Sequence, residues 1–286
     1  MTTYLVTGAS GQLGRLTVHA LLERGITPAD VVATARDTGA VADLAALGVV
    51  VRRADYTDPA SLKEAFVGVD RALLVSSSAV GERGVQHANV IEAAKEAGVE
   101  LIGYTSITHA DTAQMVLAGE HRQTEDLLAA SGLPVVLLRN SWYLENYTGQ
   151  VATALEHGVV LGAAGEGRVS AATRADFAAA AAAALVAEDQ AGRVYELGGD
   201  TAFTLAEYAA TLSAESGAEV GYRDLSAAEL TTALVGAGLP EPYAAILADS
   251  DLGLARGELL ADTGDLAGLI GRPTTTLDEA IRTALA

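Results

Sequence analysis

The first residues with chemical potential are three glycines in the run Thr7-Gly8-Ala9-Ser10-Gly11-Gln12-Leu13-Gly14, with two residues between each and the next. An apolar strand-forming run precedes them and an amphipathic stretch follows, which places them in a strand-to-helix turn. Each glycine then has a task. Gly8 lets the chain turn sharply, Gly11 lets the backbone approach a pyrophosphate, and Gly14 lets helix and strand pack closely. Free N–H groups along Ser10, Gln12 and Leu13 and the positive helix end would receive the negative charge. That chemistry is dinucleotide binding; the competing reading is a glycine-rich turn with no ligand.

The second strand-like run, Val31-Val32-Ala33-Thr34-Ala35, leads into Arg36. A guanidinium there suits a 2′-phosphate, because it offers a planar donor fork and keeps its charge. NADPH is therefore expected over NADH; Asp37 follows directly, and the competing reading of Arg36 is a solvated residue at a helix start. Asp55, past the third run, is placed to accept from an adenine amino group. Ser76, Ser77 and Ser78 end the fourth run beside the cofactor ribose, and Thr105 and Ser106 end the fifth.

These residues need a scaffold that brings strand ends together. Strand patterns fall at residues 3–7, 31–35, 49–53, 72–76, 100–105 and 135–139, alternating with helical patterns at 12–24, 41–46, 59–66, 85–97 and 119–130. Apolar residues on both faces of the strands imply a parallel sheet covered by helices, which predicts an α/β, Rossmann-type doubly wound domain over residues 1–140, with sheet contributions from later segments. Residues 141–286 read as a smaller, mostly helical lobe, with helices at 143–156, 176–187, 204–216, 227–237 and 277–285 and weak strands at 194–197 and 219–223. The junction of the two parts would form a cleft.

Composition removes other classes. The 286 residues carry Lys+Arg 18 against Asp+Glu 37, a formal charge of −19, and no cysteine. Such a surface repels phosphate, so nucleic acid is not the expected partner. Disulfides, thiolate metal sites and cysteine nucleophiles are impossible, and the five histidines lack metal-ligand spacing, so no metal is assigned. No G-x-S-x-G elbow supports a hydrolase. No signal-like segment opens the sequence, and the longest apolar run, residues 177–187, is too short to span a bilayer and reads as a packed helix. A cytoplasmic protein without membrane partners is expected; the oligomeric state is not readable.

An alcohol dehydrogenase of the short-chain type needs a tyrosine with a lysine four residues later. The only lysines, Lys63 and Lys95, have no tyrosine four positions before them, and the helix after the fifth strand holds Leu117 and His121 at that spacing. An enzyme here would need an acceptor that takes hydride with little help from a strong acid. Quinones meet that condition, because the hydroquinone anion is stabilised by its own ring. Asn140, just past the sixth strand, carries an amide that could bind a carboxamide or a quinone oxygen, and Trp142 and Tyr143 offer flat surfaces for a ring. The bland alternative for Trp142 is core packing. His121 could shuttle a proton or simply be a packed residue.

Several longer stretches carry a resemblance: Arg52-Arg53-Ala54-Asp55-Tyr56, Leu73-Leu74-Val75-Ser76-Ser77-Ser78, Gln86-His87-Ala88-Asn89-Val90, Arg139-Asn140-Ser141-Trp142-Tyr143-Leu144-Glu145-Asn146-Tyr147, Ala172-Thr173-Arg174-Ala175-Asp176 and Gly271-Arg272-Pro273-Thr274. With the glycine turn, they resemble the NmrA-like, atypical branch of the short-chain dehydrogenases, and within it the bacterial type 2 NADPH:quinone oxidoreductases and the triphenylmethane reductases. The resemblance spans essentially the whole chain. It implies flavin-free reduction of a quinone by NADPH, with residues from Asn140 to Asn146 lining the nicotinamide and substrate side. It also implies that Arg174 reaches from the small lobe to close over the cofactor. Asn140, Tyr143 and His121 are then the candidate catalytic groups. Two rival functions remain: a non-catalytic NADP(H)-sensing regulator, and a reductase of another aromatic acceptor such as a triphenylmethane or azo dye.

Overall fold

Short β-branched and alanine-rich runs form nine strands: β1 (Tyr4–Val6), β2 (Val31–Ala35), β3 (Val50–Arg53), β4 (Arg71–Leu74), β5 (Leu101–Ile107), β6 (Val135–Asn140), β7 (Val159–Gly162), β8 (Val194–Leu197) and β9 (Gly221–Asp224). These positions come from a computed structural model that describes residues 1–286. Seven strands make one sheet in the order β3-β2-β1-β4-β5-β6-β8. The pairs β1–β2, β1–β4, β2–β3 and β4–β5 run parallel, with Tyr4 opposite both Val31 and Arg71. All residues of β1, β2 and β5 are buried, as expected when both faces of a parallel sheet are covered. The six early strands fall where the sequence pattern puts them, and the doubly wound architecture with them.

The order matters more than the count. The chain winds outward from β1 to β3 and then returns to the other side of β1 as β4. The carboxyl ends of β1 and β4 therefore flank the point where the winding reverses, the place at which open α/β sheets leave a ligand crevice.

Two units emerge. The first comprises Met1–Ile107, Glu120–Arg139 and Arg174–Tyr195, so the chain crosses between units more often than a single boundary at residue 140 allows. The helix Arg174–Val186, expected in the small lobe, belongs to this first unit. Most of its alanines are buried, with Ala175 and Ala179 outside that set, and they let it lie close against the helix Gln12–Glu23 and strands β4 and β5. Arg71 closes its carboxyl end, donating from one guanidinium nitrogen to the carbonyls of Leu185 at 2.8 Å and Ala187 at 2.8 Å.

The second unit comprises Thr108–Gly119, Asn140–Thr173 and Glu196–Ala286. Here β7 and β9 pair in parallel, and the helices Leu205–Ser216, Ala227–Gly236 and Leu277–Leu285 each begin with a capping box, at Thr204 with Glu207, Ser226 with Glu229 and Thr276 with Glu279. The helix expected at 143–156 is broken into Glu145–Thr148 and Val151–His157. Strand β7 and the helices Glu241–Ala255 and Asp265–Ile270 are additions to the sequence reading. No helix is long and apolar enough to cross a membrane.

Candidate functional site

In the first unit the glycine turn is built as its spacing requires. Gly8 takes φ +61°, and the Gly11 N–H donates to the Gly8 carbonyl at 2.9 Å. The Ala9 N–H donates to the Thr34 carbonyl at 2.8 Å, fastening the turn to β2. A Cβ on Gly14 would lie 2.5 Å from the Gly8 carbonyl oxygen, so only glycine permits this approach. The helix Gln12–Glu23 then starts from an extended Gly11 with no side chain capping it and no acidic residue in its first turn. Its first amides and its positive end are left for an anion. Ser10, Gly11 and Gln12 are exposed, while the Leu13 side chain is buried, so Leu13 can offer a ligand only its backbone.

Tyr56, which the sequence reading passed over as a site residue, ties this turn to β4. Its hydroxyl contacts the Thr7 hydroxyl and donates to the Val75 carbonyl at 2.8 Å, while Thr7 Oγ1 accepts the Val75 N–H at 2.9 Å. Burial pushes the phenol far above its usual titration range, so it acts as a fixed donor.

At the carboxyl end of β2, Arg36 is exposed, and its charge helps to hold the Asp55 carboxyl down. Its neighbour Asp37 is already used: Oδ1 accepts the Gly39 N–H at 2.9 Å and caps a short 3-10 turn. The guanidinium is thus offered to solvent whole, and the carboxylate only by its other oxygen. Asp55 Oδ1 accepts from the Thr57 N–H at 2.9 Å and its hydroxyl at 2.8 Å, and these bonds hold the carboxyl below its ordinary range. Only its other oxygen is available to an adenine amino group.

The serine cluster after β4 is less open than it reads. The Ser76 N–H donates to Thr105 Oγ1 at 2.8 Å. Ser77 is held by three side chains: its N–H donates to His87 Nε2 at 2.9 Å, its hydroxyl donates to Gln86 Oε1 at 2.6 Å, and its carbonyl accepts from Arg83 Nε at 2.5 Å. Ser78 is exposed. Ser106 donates to Glu125 Oε1 at 2.5 Å, and Arg139 grips both oxygens of that carboxylate at 3.0 and 2.7 Å. The hydroxyls of Ser77 and Ser106 are therefore committed to the protein, which removes them as side-chain donors to a cofactor.

His121 also departs from its expected catalytic part. It is buried, Nδ1 lies 2.8 Å from the Tyr104 hydroxyl, and burial together with Arg83 and His87 drives its pKa well below the usual value. A neutral ring bonded to Tyr104 is a packing element, not a proton shuttle. The two lysines pair with Glu96 and Glu92 on exposed helix surfaces.

In the second unit, Asn140 is 4% exposed and its Oδ1 has no hydrogen-bond partner. A buried acceptor without a donor is rare, and the atom is poised for a ligand N–H. The backbone around it is pinned: the Thr108 N–H donates to the Asn140 carbonyl at 3.0 Å, and the Ser141 N–H to that of Leu197 at 2.8 Å. Trp142, Tyr143 and Asn146 are half-buried. Their segment is laced to Ala172 by Leu144 N–H to the Ala172 carbonyl at 2.9 Å and Ala172 N–H to the Trp142 carbonyl at 3.1 Å. Arg174, at the start of its helix in the first unit, is half-buried.

Comparison with known proteins fits this geometry. A family model described as NAD(P)H-binding matches residues 8–188. Quinone oxidoreductase 2 of Escherichia coli K12 is 50% identical over 96% of both chains. The crystal structure of the E. coli NADPH-dependent quinone oxidoreductase QOR2 complexed with NADPH superposes with a TM-score of 0.97 at 48% identity, covering 99% of this chain and 100% of that one. Citrobacter triphenylmethane reductase complexed with NADP(H) gives a TM-score of 0.93 at 36% identity, covering 99% and 100%. With the glycine turn, the sheet order and these matches together, the chain belongs to the NAD(P)H-binding family.

Proposed function

We propose that this protein is a flavin-free, NADPH-dependent quinone oxidoreductase. The observation that carries the reading is Asn140: an orphaned, buried amide acceptor followed, after Ser141, by two half-buried rings, in a chain that has no tyrosine–lysine pair. The residues suit a dinucleotide. The turn at Gly8, Gly11 and Gly14, with the amides of Ser10, Gln12 and Leu13, takes the pyrophosphate; Arg36 takes the 2′-phosphate; the free oxygen of Asp55 takes the adenine amino group. Ser76, Ser78 and Thr105 border the ribose at the ends of β4 and β5. Asn140 Oδ1 accepts from the nicotinamide carboxamide, and Arg174 binds over the cofactor.

NADPH, when bound, supplies the hydride equivalent. The protein's own part is orientation and charge stabilisation. Trp142 and Tyr143 hold the acceptor ring flat, with Asn146 at its edge, and holding two rings in a reactive alignment accounts for ~7–11 kcal/mol of barrier lowering. The Asn140 amide N–H or the Tyr143 hydroxyl donates to the developing oxyanion. The proton then comes from Tyr143 or water, since His121 stays neutral and buried. On the same reading the substrate is a small aromatic molecule and the place of work is the cytoplasm.

The test follows NADPH absorbance with purified protein and a simple benzoquinone. Quinone-dependent oxidation by protein whose spectrum lacks flavin is expected. A rate no faster than in buffer would sink the enzyme and leave an NADP(H)-binding regulator. A triphenylmethane dye serves as second acceptor, because a reductase of such dyes shares 36% of its sequence with this chain; preference for the dye over the quinone would reassign the substrate within the same mechanism.

A further inference from the structure

We propose that His87, together with Arg83 and Gln86, is a positioning device that fixes the backbone of the loop after β4, and that this loop must be fixed for the dinucleotide to bind well. The proposal rests on the reading that Ser76 and Ser78 border the cofactor ribose, and goes beyond it by assigning roles to residues that touch no ligand.

Residues 83, 86 and 87 are spaced i, i+3, i+4 on the helix Arg83–Ala97 and so share one face. That face takes all three polar groups of Ser77. Its N–H goes to His87, its hydroxyl to Gln86 and its carbonyl to Arg83. The geometry fixes the imidazole tautomer. His87 Nε2 accepts from an amide, so the ring proton sits on Nδ1 and is donated to Thr124 Oγ1 at 2.8 Å; Thr124 in turn donates to the Glu120 carbonyl at 3.2 Å. Burial and the neighbouring Arg83 push His87 down to about 4, which keeps the accepting lone pair in place. Farther along the loop, the Gly81 N–H donates to Glu120 Oε1, and the other oxygen of that carboxylate lies 3.2 Å from Arg83. Ser77 and Gly81 are thus anchored to buried groups, with Ser78 exposed between them.

A largely desolvated ion pair and a buried histidine are expensive ways to support a surface loop if packing were the only need, since apolar side chains of similar volume do as well or better. What apolar side chains cannot do is dictate which way a peptide group points. The loop leaves β4 at the reversal point of the sheet, next to β1 and its glycine turn. Orienting the Ser77 peptide there sets which N–H and C=O groups of residues 76–78 are presented to a ligand at that edge.

The experiment compares His87→Leu, which keeps the volume without an acceptor, with His87→Gln, whose amide can accept from Ser77 and donate to Thr124. Hydrogen–deuterium exchange of the peptide containing residues 76–81 is read without cofactor, and steady-state kinetics with NADPH are read alongside. Slow exchange in wild type and His87→Gln, fast exchange in His87→Leu, and an NADPH KM raised about tenfold in His87→Leu with kcat within twofold support the proposal. Unchanged exchange in His87→Leu, or fast exchange with unchanged KM, overturns it. Should His87→Leu fail to fold, Thr124→Val, which removes the partner of Nδ1, carries the same comparison: faster exchange with a raised KM supports, and no change in either overturns. Failure of the wild-type protein to bind NADPH in calorimetry would remove the cofactor reading itself, and is seen before any variant is made.

Discussion

On the proposed function, the glycine turn of the first unit and the Asn140 segment of the second would meet their ligands by opposite means. The turn works through what is missing: no side chain at Gly14, no cap on the helix Gln12–Glu23, no acid in its first turn. The Asn140 segment works through what is present, an amide and two rings on a backbone clamped by Ala172, Thr108 and Leu197. The first region is intolerant of size and nearly indifferent to side-chain chemistry. The second tolerates size and depends on chemistry.

Gly14→Ala gives the largest effect. Its new methyl would fall within 2.5 Å of a backbone oxygen that cannot move without opening the turn. NADPH binding is expected to weaken by more than about a hundredfold, roughly 2.7 kcal/mol, in calorimetry; retention of wild-type affinity would mean the turn is not the phosphate cradle.

Asn140→Leu comes next and should split activity from stability. Removing an orphaned buried acceptor relieves about 1–3 kcal/mol of unmet desolvation, so the melting temperature should hold or rise. Turnover should fall about a hundredfold, the scale of losing one oxyanion donor. A drop in both together would show that the amide is structural. Arg36→Ala is expected to raise the KM for NADPH about tenfold while leaving NADH unaffected, since one charge-assisted contact with the 2′-phosphate is lost. Equal effects on both coenzymes would break the distinction drawn between Arg36 and Asp37.

The smallest effect separates an orphaned acceptor from a desolvated but bonded one. Asp251, also in the second unit, accepts the Ala163 N–H at 2.8 Å, and burial raises its carboxyl to about 6. The unfolded chain ionises it near 4. Between those values the folded state holds the extra proton, so this group's contribution falls as pH rises and levels off above about 6. Asp251→Asn should therefore be about 1–2 kcal/mol more stable than wild type in urea unfolding at pH 8, with the gain vanishing toward pH 4. A gain independent of pH would show that the carboxyl is not the cause.

The sheet and the glycine turn were legible because they are local: strand formers bounded by polar clusters, and glycines whose spacing has one steric use. The place of Arg36 at the end of β2 was legible for the same reason, while the cap that Asp37 forms needed only Gly39, two residues ahead. What escaped depends on partners far along the chain. A triple serine looks like a row of open donors until His87 and Gln86, some ten residues on, are seen to take Ser77, and Ser106 looks free until Glu125, itself gripped by Arg139, accepts its hydroxyl. His121 could be placed on a helix but not beside Tyr104, and nothing about Arg83 in the sequence announced a carbonyl to hold. Strand β7 was missed because four residues reading Val-Val-Leu-Gly acquire meaning only when β9 pairs with them some sixty residues later. The helix Glu241–Ala255 was missed because a proline sits in its first turn and apolar residues lie all round it.

The alanine helix Arg174–Val186 has a consequence for how the molecule is made. It seals the helix Gln12–Glu23 and strands β4 and β5, yet it is encoded well after them, with the edge strand β8 later still. A ribosome that has released only the first 140 residues has delivered the phosphate turn on a sheet with part of one face bare. Sticky intermediates are shortest-lived when a missing cover arrives quickly, so slowing translation between residues 140 and 190 should cost yield more than slowing it anywhere downstream.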